Sequence, residues 1–294
     1  MLNKIFLKIF IVTWGIRILI VLFICVILHN VLKMGEISSK YSGDYKHLYS
    51  IYEDDEKSMN IYTVGEGGRT IVILPGFGSQ SPALQYKALA EGLKDNYRVV
   101  IVEYFGYGFS MASKKPRTNE NITYEIKTLL EQANIGGPYI LMPHSMSNVY
   151  AMSFQKRYPE LVDSIISIDG SYPAEVNDRY RLKELKSTIS NVNITSIFEL
   201  TGFERLLSYV MGDVFYIDKM KAMKDIYTKD DISVYRNRIG SSYLTRTMVR
   251  EIGKAEDNMN EMKDYVYPSY LPVLQILSEN TAKKYNETKV NGES

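Results

Sequence analysis

Apolar and polar residues divide the chain into an apolar N-terminal stretch and a long region of periodic runs. Runs of strand length, such as Thr70–Leu74 and Tyr139–Met142, are nearly continuous in apolar residues. They alternate with stretches of helical spacing, such as Pro82–Leu93. Strands of this kind are buried on both faces and are typical of parallel sheets covered by helices. The pattern predicts an α/β core over residues 59–171, with one more core strand in 271–294.

The strand signals stop between Ser171 and Tyr270. The intervening stretch is charged and has helical spacing, for example over Asp178–Lys186 and Thr247–Met262. It is too long to be an ordinary loop inside a compact domain. We expect residues 172–270 to form a helical cap inserted over one end of the sheet.

The N-terminal stretch over residues 9–32 is almost wholly apolar and is interrupted by Arg17. About 20 apolar residues suffice for a helix to cross a bilayer. Basic residues precede its most apolar part, so the positive-inside rule places the N-terminus in the cytoplasm and the rest outside. We expect residues 1–33 to be a single-pass anchor in the cell membrane, with a cleaved signal peptide or a buried helix as alternatives. Residues 34–58 follow as a linker or as the first strands.

The composition of the chain excludes some classes of partner and cofactor. The 294 residues, 45% of them hydrophobic, are enough for one domain with a small cap. Thirty-five basic residues against 34 acidic ones give no electrostatic reason to expect nucleic acid as a partner. The single cysteine, Cys25, excludes an intrachain disulfide and a Cys/His metal cluster. We expect no metal, nucleotide or redox cofactor, because the pair Gly76 and Gly78 lacks the third glycine of a dinucleotide fingerprint.

The candidate chemistry lies where the strand Tyr139–Met142 runs into the sequence PHSMS (143–147) and then into a helix. A serine on such a strand-to-helix turn is an exposed nucleophile, and the usual pattern is G-x-S-x-G. Here Pro143 and Ser147 take the glycine positions. Ser147 is small, and Pro143 fits where a strand end leaves no N–H to be paired. Ser145 is therefore the candidate nucleophile.

Two more turns follow neighbouring strands, namely PGFG (75–78) and EYFGYGFS (103–110). Together with PHSMS they show the order and spacing of α/β-hydrolases. The chain resembles cap-bearing members of that family, of the proline-iminopeptidase and esterase-like kind. The resemblance covers residues 60–171 well and 271–280 moderately, and it hardly extends to the cap.

The resemblance implies an α/β-hydrolase fold, with a mostly parallel sheet covered by helices on both faces. It also implies a serine hydrolase of esters or amides with Ser145 as nucleophile. The backbone N–H groups of Phe77 and Met146 would then form the oxyanion hole. The partners implied are a small-molecule ester or amide or a peptide as substrate, and the membrane through the N-terminal helix.

The family also requires an acid and then a histidine after the nucleophile. Asp169, at the end of the strand Ser164–Ile168, is the favoured acid, and Glu279 is the alternative. The three histidines of the chain are His29, His47 and His144. None of them follows Ser145, so the sequence assigns no catalytic base.

His144 is next to the nucleophile, and its side chain is expected to point away from the hydroxyl. His47 precedes the first clear strand. The family would continue past the strand Val273–Leu277 with an eighth strand and a histidine loop, roughly 35–45 residues at ordinary element lengths. We therefore expect a C-terminal unit to be missing. The alternative function is a catalytically impaired or truncated pseudo-hydrolase that acts as a binding module.

Overall fold

The computed structural model describes residues 2–52, 55–173, 208–212, 214, 216–242 and 245–283. Within these residues, seven strands form one sheet. The strands are β1 (Leu48–Tyr52), β2 (Asp55–Val64), β3 (Thr70–Leu74), β4 (Arg98–Glu103), β5 (Tyr139–Pro143), β6 (Val162–Ile168) and β7 (Val273–Ile276). Their order across the sheet is β1-β2-β4-β3-β5-β6-β7.

The sheet is mostly parallel. Strand β2 pairs antiparallel with both β1 and β4, whereas the neighbours from β4 through β7 are all parallel. The described helices are α1 (Leu2–Tyr45), α2 (Pro82–Gln85), α3 (Lys87–Leu93), α4 (Asn119–Gln132), α5 (Ser147–Arg157), α6 (Ile217–Ala222), α7 (Lys229–Ser242) and α8 (Arg246–Met262). The prediction of a parallel sheet with covering helices is confirmed.

Alternate residues of the central strands pack on opposite faces of the sheet. Ile71 and Ile73 of β3 belong to one buried cluster, which Ala90 of α3 joins. Val72 and Leu74 belong to another cluster, which residues of α4, α5 and α8 complete. Burial on both faces explains why β3 and β5 contain hardly any polar residues. The carboxyl ends of the parallel strands therefore meet at one edge, which carries the turns discussed below.

The predicted helix Pro82–Leu93 is divided into α2 and α3 at Tyr86. The Tyr86 hydroxyl accepts a hydrogen bond from the backbone N–H of Gly76 (3.1 Å) and lies 2.9 Å from Nδ1 of His144. These contacts join the helix break to the turns after β3 and β5. In the sequence, Tyr86 fits the apolar positions of one helix, and this pattern does not indicate its contacts with Gly76 and His144.

Helix α1 extends beyond the predicted anchor. The segment Phe10–His29 is exposed and, by length and composition, could cross a membrane, although a signal sequence would pass the same test. The helix continues to Tyr45, so the first part of the expected linker is helical, while β1 and the start of β2 occupy the rest. Tyr45 ends the helix inside the fold, where its carbonyl accepts a hydrogen bond from Asn60 (2.8 Å).

The expected cap is described only in part. Helices α6, α7 and α8 lie in its second half, while residues 174–207 lie outside the described residues. The predicted helix over Asp178–Lys186 is among those not described. In the described part, β7 is the last strand of the sheet, and its side chains are exposed, Leu274 by 55%.

Candidate functional site

Ser145 lies on the turn between β5 and α5, in a left-handed backbone conformation with φ of +53°. Its N–H donates to the carbonyl of Ile168 (3.0 Å), and its own carbonyl accepts from the N–H of Ser171 (3.0 Å). A serine in this region costs about 1–2 kcal/mol, and only the surrounding contacts maintain it. The side chain is partly exposed at the carboxyl edge of the sheet. The turn therefore places Ser145 at the carboxyl edge of the sheet, and its role as a nucleophile stays a prediction.

The neighbours of this turn must be small, as the sequence pattern requires. A Cβ added at Gly76 would lie 2.4 Å from Nδ1 of His144, which is far inside contact distance. Ser147 is buried, and its hydroxyl donates to the carbonyl of Pro75 while Tyr104 donates to it (2.9 Å). The turn after β3 and the start of α5 are thus in direct contact.

Phe77 and Met146, the predicted oxyanion donors, lie on these two contacting turns. Among the hydrogen bonds of the described residues, none uses the backbone N–H of either residue. The adjacent N–H of Gly76 is already bound to Tyr86. Two N–H groups on neighbouring turns are therefore available to an oxygen atom, and their role as an oxyanion hole stays a prediction.

Glu103 ends β4 and organises the third turn of the motif set. Its carboxylate is fully buried and accepts hydrogen bonds from the N–H groups of Phe109 (2.6 Å) and Ala83 (3.1 Å) and from Asn60 (3.0 Å). A Cβ added at Gly108 would lie 2.1 Å from this carboxylate, which explains the glycine there. The acidic residue at the start of this turn holds the backbone in place.

Asp169, the favoured acid, follows β6 with φ of +43° and is partly exposed. Its Oδ1 accepts a hydrogen bond from the N–H of Ser278 (2.6 Å), just past β7. Burial raises the pKa of Asp169, but hydrogen bonds from Ser278 and Thr281 and the nearby His144 outweigh that effect and leave the pKa below its usual value. The carboxylate is ionised near neutral pH and is partly committed to closing the turn after β7.

Glu279, the alternative acid, lies in a different environment. Its carboxylate pairs with Lys283 (2.7 Å), and both side chains are largely exposed. Asp169 interacts electrostatically with His144 beside the nucleophile, whereas Glu279 faces solvent. The assignment of the acid stays a prediction, and the surroundings of Asp169 support it better.

His144 has its ring directed to Gly76 and Tyr86. The Tyr86 oxygen also accepts a hydrogen bond from the N–H of Gly76, so Tyr86 links the ring to the turn after β3. Burial lowers the pKa of His144, and the nearby Asp169 offsets this only in part. Nδ1 of His144 is thus engaged with Tyr86, and among the hydrogen bonds of the described residues none joins this ring to the Ser145 hydroxyl.

The other two histidines lie outside the turn that carries Ser145. His47 is exposed just before β1, and four strand spacings of about 4.8 Å, roughly 19 Å in all, separate β1 from β5. His29 is at the end of the exposed apolar part of α1. In the part of the chain that the structure describes, none of the three histidines forms a hydrogen bond with the Ser145 hydroxyl.

Two features of the site could not be found in the sequence. Tyr86 orients His144 from the break between two helices. Glu251 of α8 is fully buried and accepts hydrogen bonds from Tyr107 and Tyr150, 3.0 Å each. A glutamate in a charged, helical stretch is normally solvated, and no local pattern distinguished this one. Among the described residues, no group of three His, Cys, Asp or Glu side chains could hold a metal ion.

Comparison with known proteins agrees with this geometry. The family model described as α/β hydrolase fold matches residues 69–188. The chain is similar to the uncharacterised protein YbdG of Bacillus subtilis, with 25% identity over 241 residues, covering 80% of this chain and 71% of the relative. It is also 28% identical over 127 residues to the karrikin insensitive 2 receptor CA of Petunia hybrida, covering 42% of this chain and 46% of that protein.

Solved structures support the fold. A putative α/β hydrolase from Nostoc superposes with a TM-score of 0.58 at 13% identity and covers 86% of this chain and 87% of its own. At that level of identity the likeness establishes the fold alone. The strand order, the turn that carries Ser145 and the family model all agree on that fold.

Proposed function

From the premise that this chain is an α/β-hydrolase-fold protein, we propose that it is a membrane-anchored serine hydrolase with Ser145 as nucleophile. The left-handed conformation of Ser145, between a parallel strand and a helix, is the observation that supports this most directly. A strained residue at a sheet edge is retained where function requires its geometry. The fold alone would not be enough, because many unrelated functions share it.

In the proposed reaction the Ser145 hydroxyl attacks the carbonyl carbon of an ester or amide and loses its proton to a base. The N–H groups of Phe77 and Met146 bind the oxygen that becomes negative. The alcohol or amine then leaves with a proton, and water hydrolyses the acyl-serine. We expect the substrate to be a small ester, an amide or a peptide.

The mechanism requires a base beside Ser145. No side chain of the described residues forms a hydrogen bond with the Ser145 hydroxyl, and His144 and His47 are placed as described above. Without a base, only residual catalysis from the oxyanion hole and from binding is expected.

The arrangement of the histidines favours a second candidate function, a binding module that retains the fold. The plant relative carries the name of a receptor, and this name supports binding as a candidate function. The two candidates differ in one property, namely whether the Ser145 hydroxyl is activated.

The test is labelling of the full chain in membranes with a fluorophosphonate probe. We expect the wild type to react and Ser145→Ala to be unlabelled, while Ser50→Ala, at an exposed serine of β1, labels like the wild type. Folding of Ser145→Ala is checked by circular dichroism. A folded wild type that resists the probe would refute the hydrolase and leave the binding module.

We further propose that α1 is an anchor and that the domain is extracytoplasmic. A single cysteine introduced at Ser50, with Cys25 replaced by serine, should react in intact cells with a maleimide that cannot cross membranes. Reaction only after the cells are opened would reverse the orientation, and recovery of the chain in the soluble fraction would refute the anchor.

A further inference from the structure

Three fully buried tyrosines pack beneath the turn that carries Ser145. Tyr104 and Tyr107 follow β4, and Tyr150 lies on α5. The ring of Tyr104 meets that of Tyr107 edge-on at 5.4 Å between centroids and that of Tyr150 at 5.9 Å. Edge-to-face packing of this kind fixes ring positions more sharply than contact between aliphatic side chains.

The hydroxyl of Tyr104 reaches the turn after β3. It donates to the Ser147 hydroxyl (2.9 Å), which in turn donates to the carbonyl of Pro75. Pro75 begins the PGFG turn that contains Phe77, and Ser147 directly follows Met146. These hydrogen bonds therefore join the two turns that carry the predicted donors.

Glu251 of α8 connects these tyrosines to one another. Its Oε2 accepts from Tyr107 and its Oε1 from Tyr150, both at 3.0 Å. Burial raises the pKa of Glu251, while Arg117 and the two tyrosine hydroxyls act against that rise. The guanidinium of Arg117 is itself fully buried and pairs with Glu125 (2.8 Å). The carboxylate thus has two hydroxyl donors and a cation nearby.

From these contacts we infer that Glu251 is a positioning residue for the oxyanion hole. One oxygen of Glu251 accepts a hydrogen bond from Tyr107 and the other from Tyr150 on α5, the helix that begins directly after Met146. Both rings pack edge-on against Tyr104, whose hydroxyl joins the two turns through Ser147 and Pro75. One buried side chain therefore holds in place the tyrosines that fix the separation of the two donors. This inference rests on the proposed function.

A buried carboxylate at this place is otherwise hard to explain by stability. Apolar residues of similar volume usually replace buried charges at no loss of stability, because removing a charge from water is costly. Two carboxylate oxygens can, however, hold two tyrosines from separate elements at a defined distance. Oxyanion donors must be held to within about 0.5 Å to act on a transition state.

The test compares Glu251→Gln and Tyr107→Phe with Glu261→Gln, which changes an exposed glutamate on the same helix. A p-nitrophenyl ester serves as the probe substrate. We expect kcat to fall about 10- to 100-fold in the first two variants with KM changed less than twofold, because oxyanion contacts act in the transition state. Glu261→Gln should match the wild type. An unchanged kcat, or a loss confined to KM, would overturn the inference.

A second readout does not depend on catalysis. Amide hydrogen exchange of the peptide that contains Phe77 and Gly78 should be at least tenfold faster in Tyr107→Phe and Glu251→Gln than in Glu261→Gln, because the turn loses the fixed tyrosines that support it. Unchanged exchange would overturn the inference even in an active enzyme. If the wild type hydrolyses no ester, the hydrolase proposal fails, and exchange still decides whether Glu251 holds this turn.

Discussion

At the scale of single residues, Glu103 shows how burial and hydrogen bonding compete. Three donors converge on its carboxylate and favour the charged form, and Arg238 lies near enough to favour it further. Burial acts against them more strongly and raises the pKa of Glu103 to about 7. A group that organises a turn at the site therefore titrates close to neutral pH.

We predict that Glu103 makes the fold less stable as the pH rises through neutrality. Its pKa is higher in the folded state than its ordinary value of 4.5, so its favourable contribution is complete below about pH 4.5 and disappears as the pH passes about 7. The difference corresponds to about 3 kcal/mol. Urea unfolding between pH 5 and pH 8 should show this decline in the wild type.

Two variants separate Glu103 from other titrating groups. Glu103→Gln should show a smaller decline over the same range, whereas Glu66→Gln, which changes an exposed residue between β2 and β3, should keep the full decline. Equal pH profiles for wild type and Glu103→Gln would show that Glu103 does not titrate in this range.

At the scale of elements, the turns after β3 and β5 act as one unit. Gly76 lies against the His144 ring, and Tyr86 bridges both from the break between α2 and α3. Because β3 and β5 are adjacent parallel strands, their carboxyl ends are brought together whatever the turns contain. Gly76 and Tyr86 then determine how closely the two turns approach each other.

We predict that Gly76→Ala destabilises the fold by about 1–3 kcal/mol, because the new methyl group would overlap the His144 ring. Displacement of the adjacent Phe77 should also slow labelling by a fluorophosphonate. Gly92→Ala is the matched control, since a Cβ there meets open space in α3. That variant should be about 0.5–1 kcal/mol more stable than the wild type. Equal stability of the two variants in urea unfolding would contradict the close packing.

At the scale of the whole molecule, α1 is joined to both the sheet and the cap. The hydroxyl of Tyr45 bonds to Asp231 of α7, and Lys87 of α3 donates to Tyr45 (2.9 Å) and to Asp231 (2.8 Å). Lys87 and Asp231 are 12% and 4% exposed, so this pair is largely shielded from water. One cluster therefore connects the end of the apolar helix with the cap.

We predict that Asp231→Ala costs about 3 kcal/mol of stability, because it leaves Lys87 buried without its carboxylate. Asp218→Ala removes an exposed pair with Lys221 and should change stability by less than about 0.5 kcal/mol. Urea unfolding in detergent micelles compares the two variants. Protease cleavage between α1 and β1 should also be faster in Asp231→Ala alone. Similar effects of both substitutions would show that the cluster does not hold the helix.

Local patterns in the sequence predict the strands β3, β5 and β6, the order of the three turns and Ser145 as the candidate nucleophile. These features follow from local patterns, since burial on both faces requires continuous apolar runs and a sharp turn requires small residues. The sequence also determined that no histidine follows Ser145. Each of these conclusions needs only neighbouring residues or a count.

The contacts around Ser145 depend on the tertiary structure. The hydrogen bonds of Glu251 join residues 101 and 144 positions apart, and the contact between Tyr86 and His144 spans 58 positions. No periodicity records such pairs, because they form only when the sheet brings separate turns to one edge. The same packing decides whether a glutamate such as Glu251 is buried and hydrogen-bonded or exposed to water. The chemical environment of the site is therefore a property of the fold.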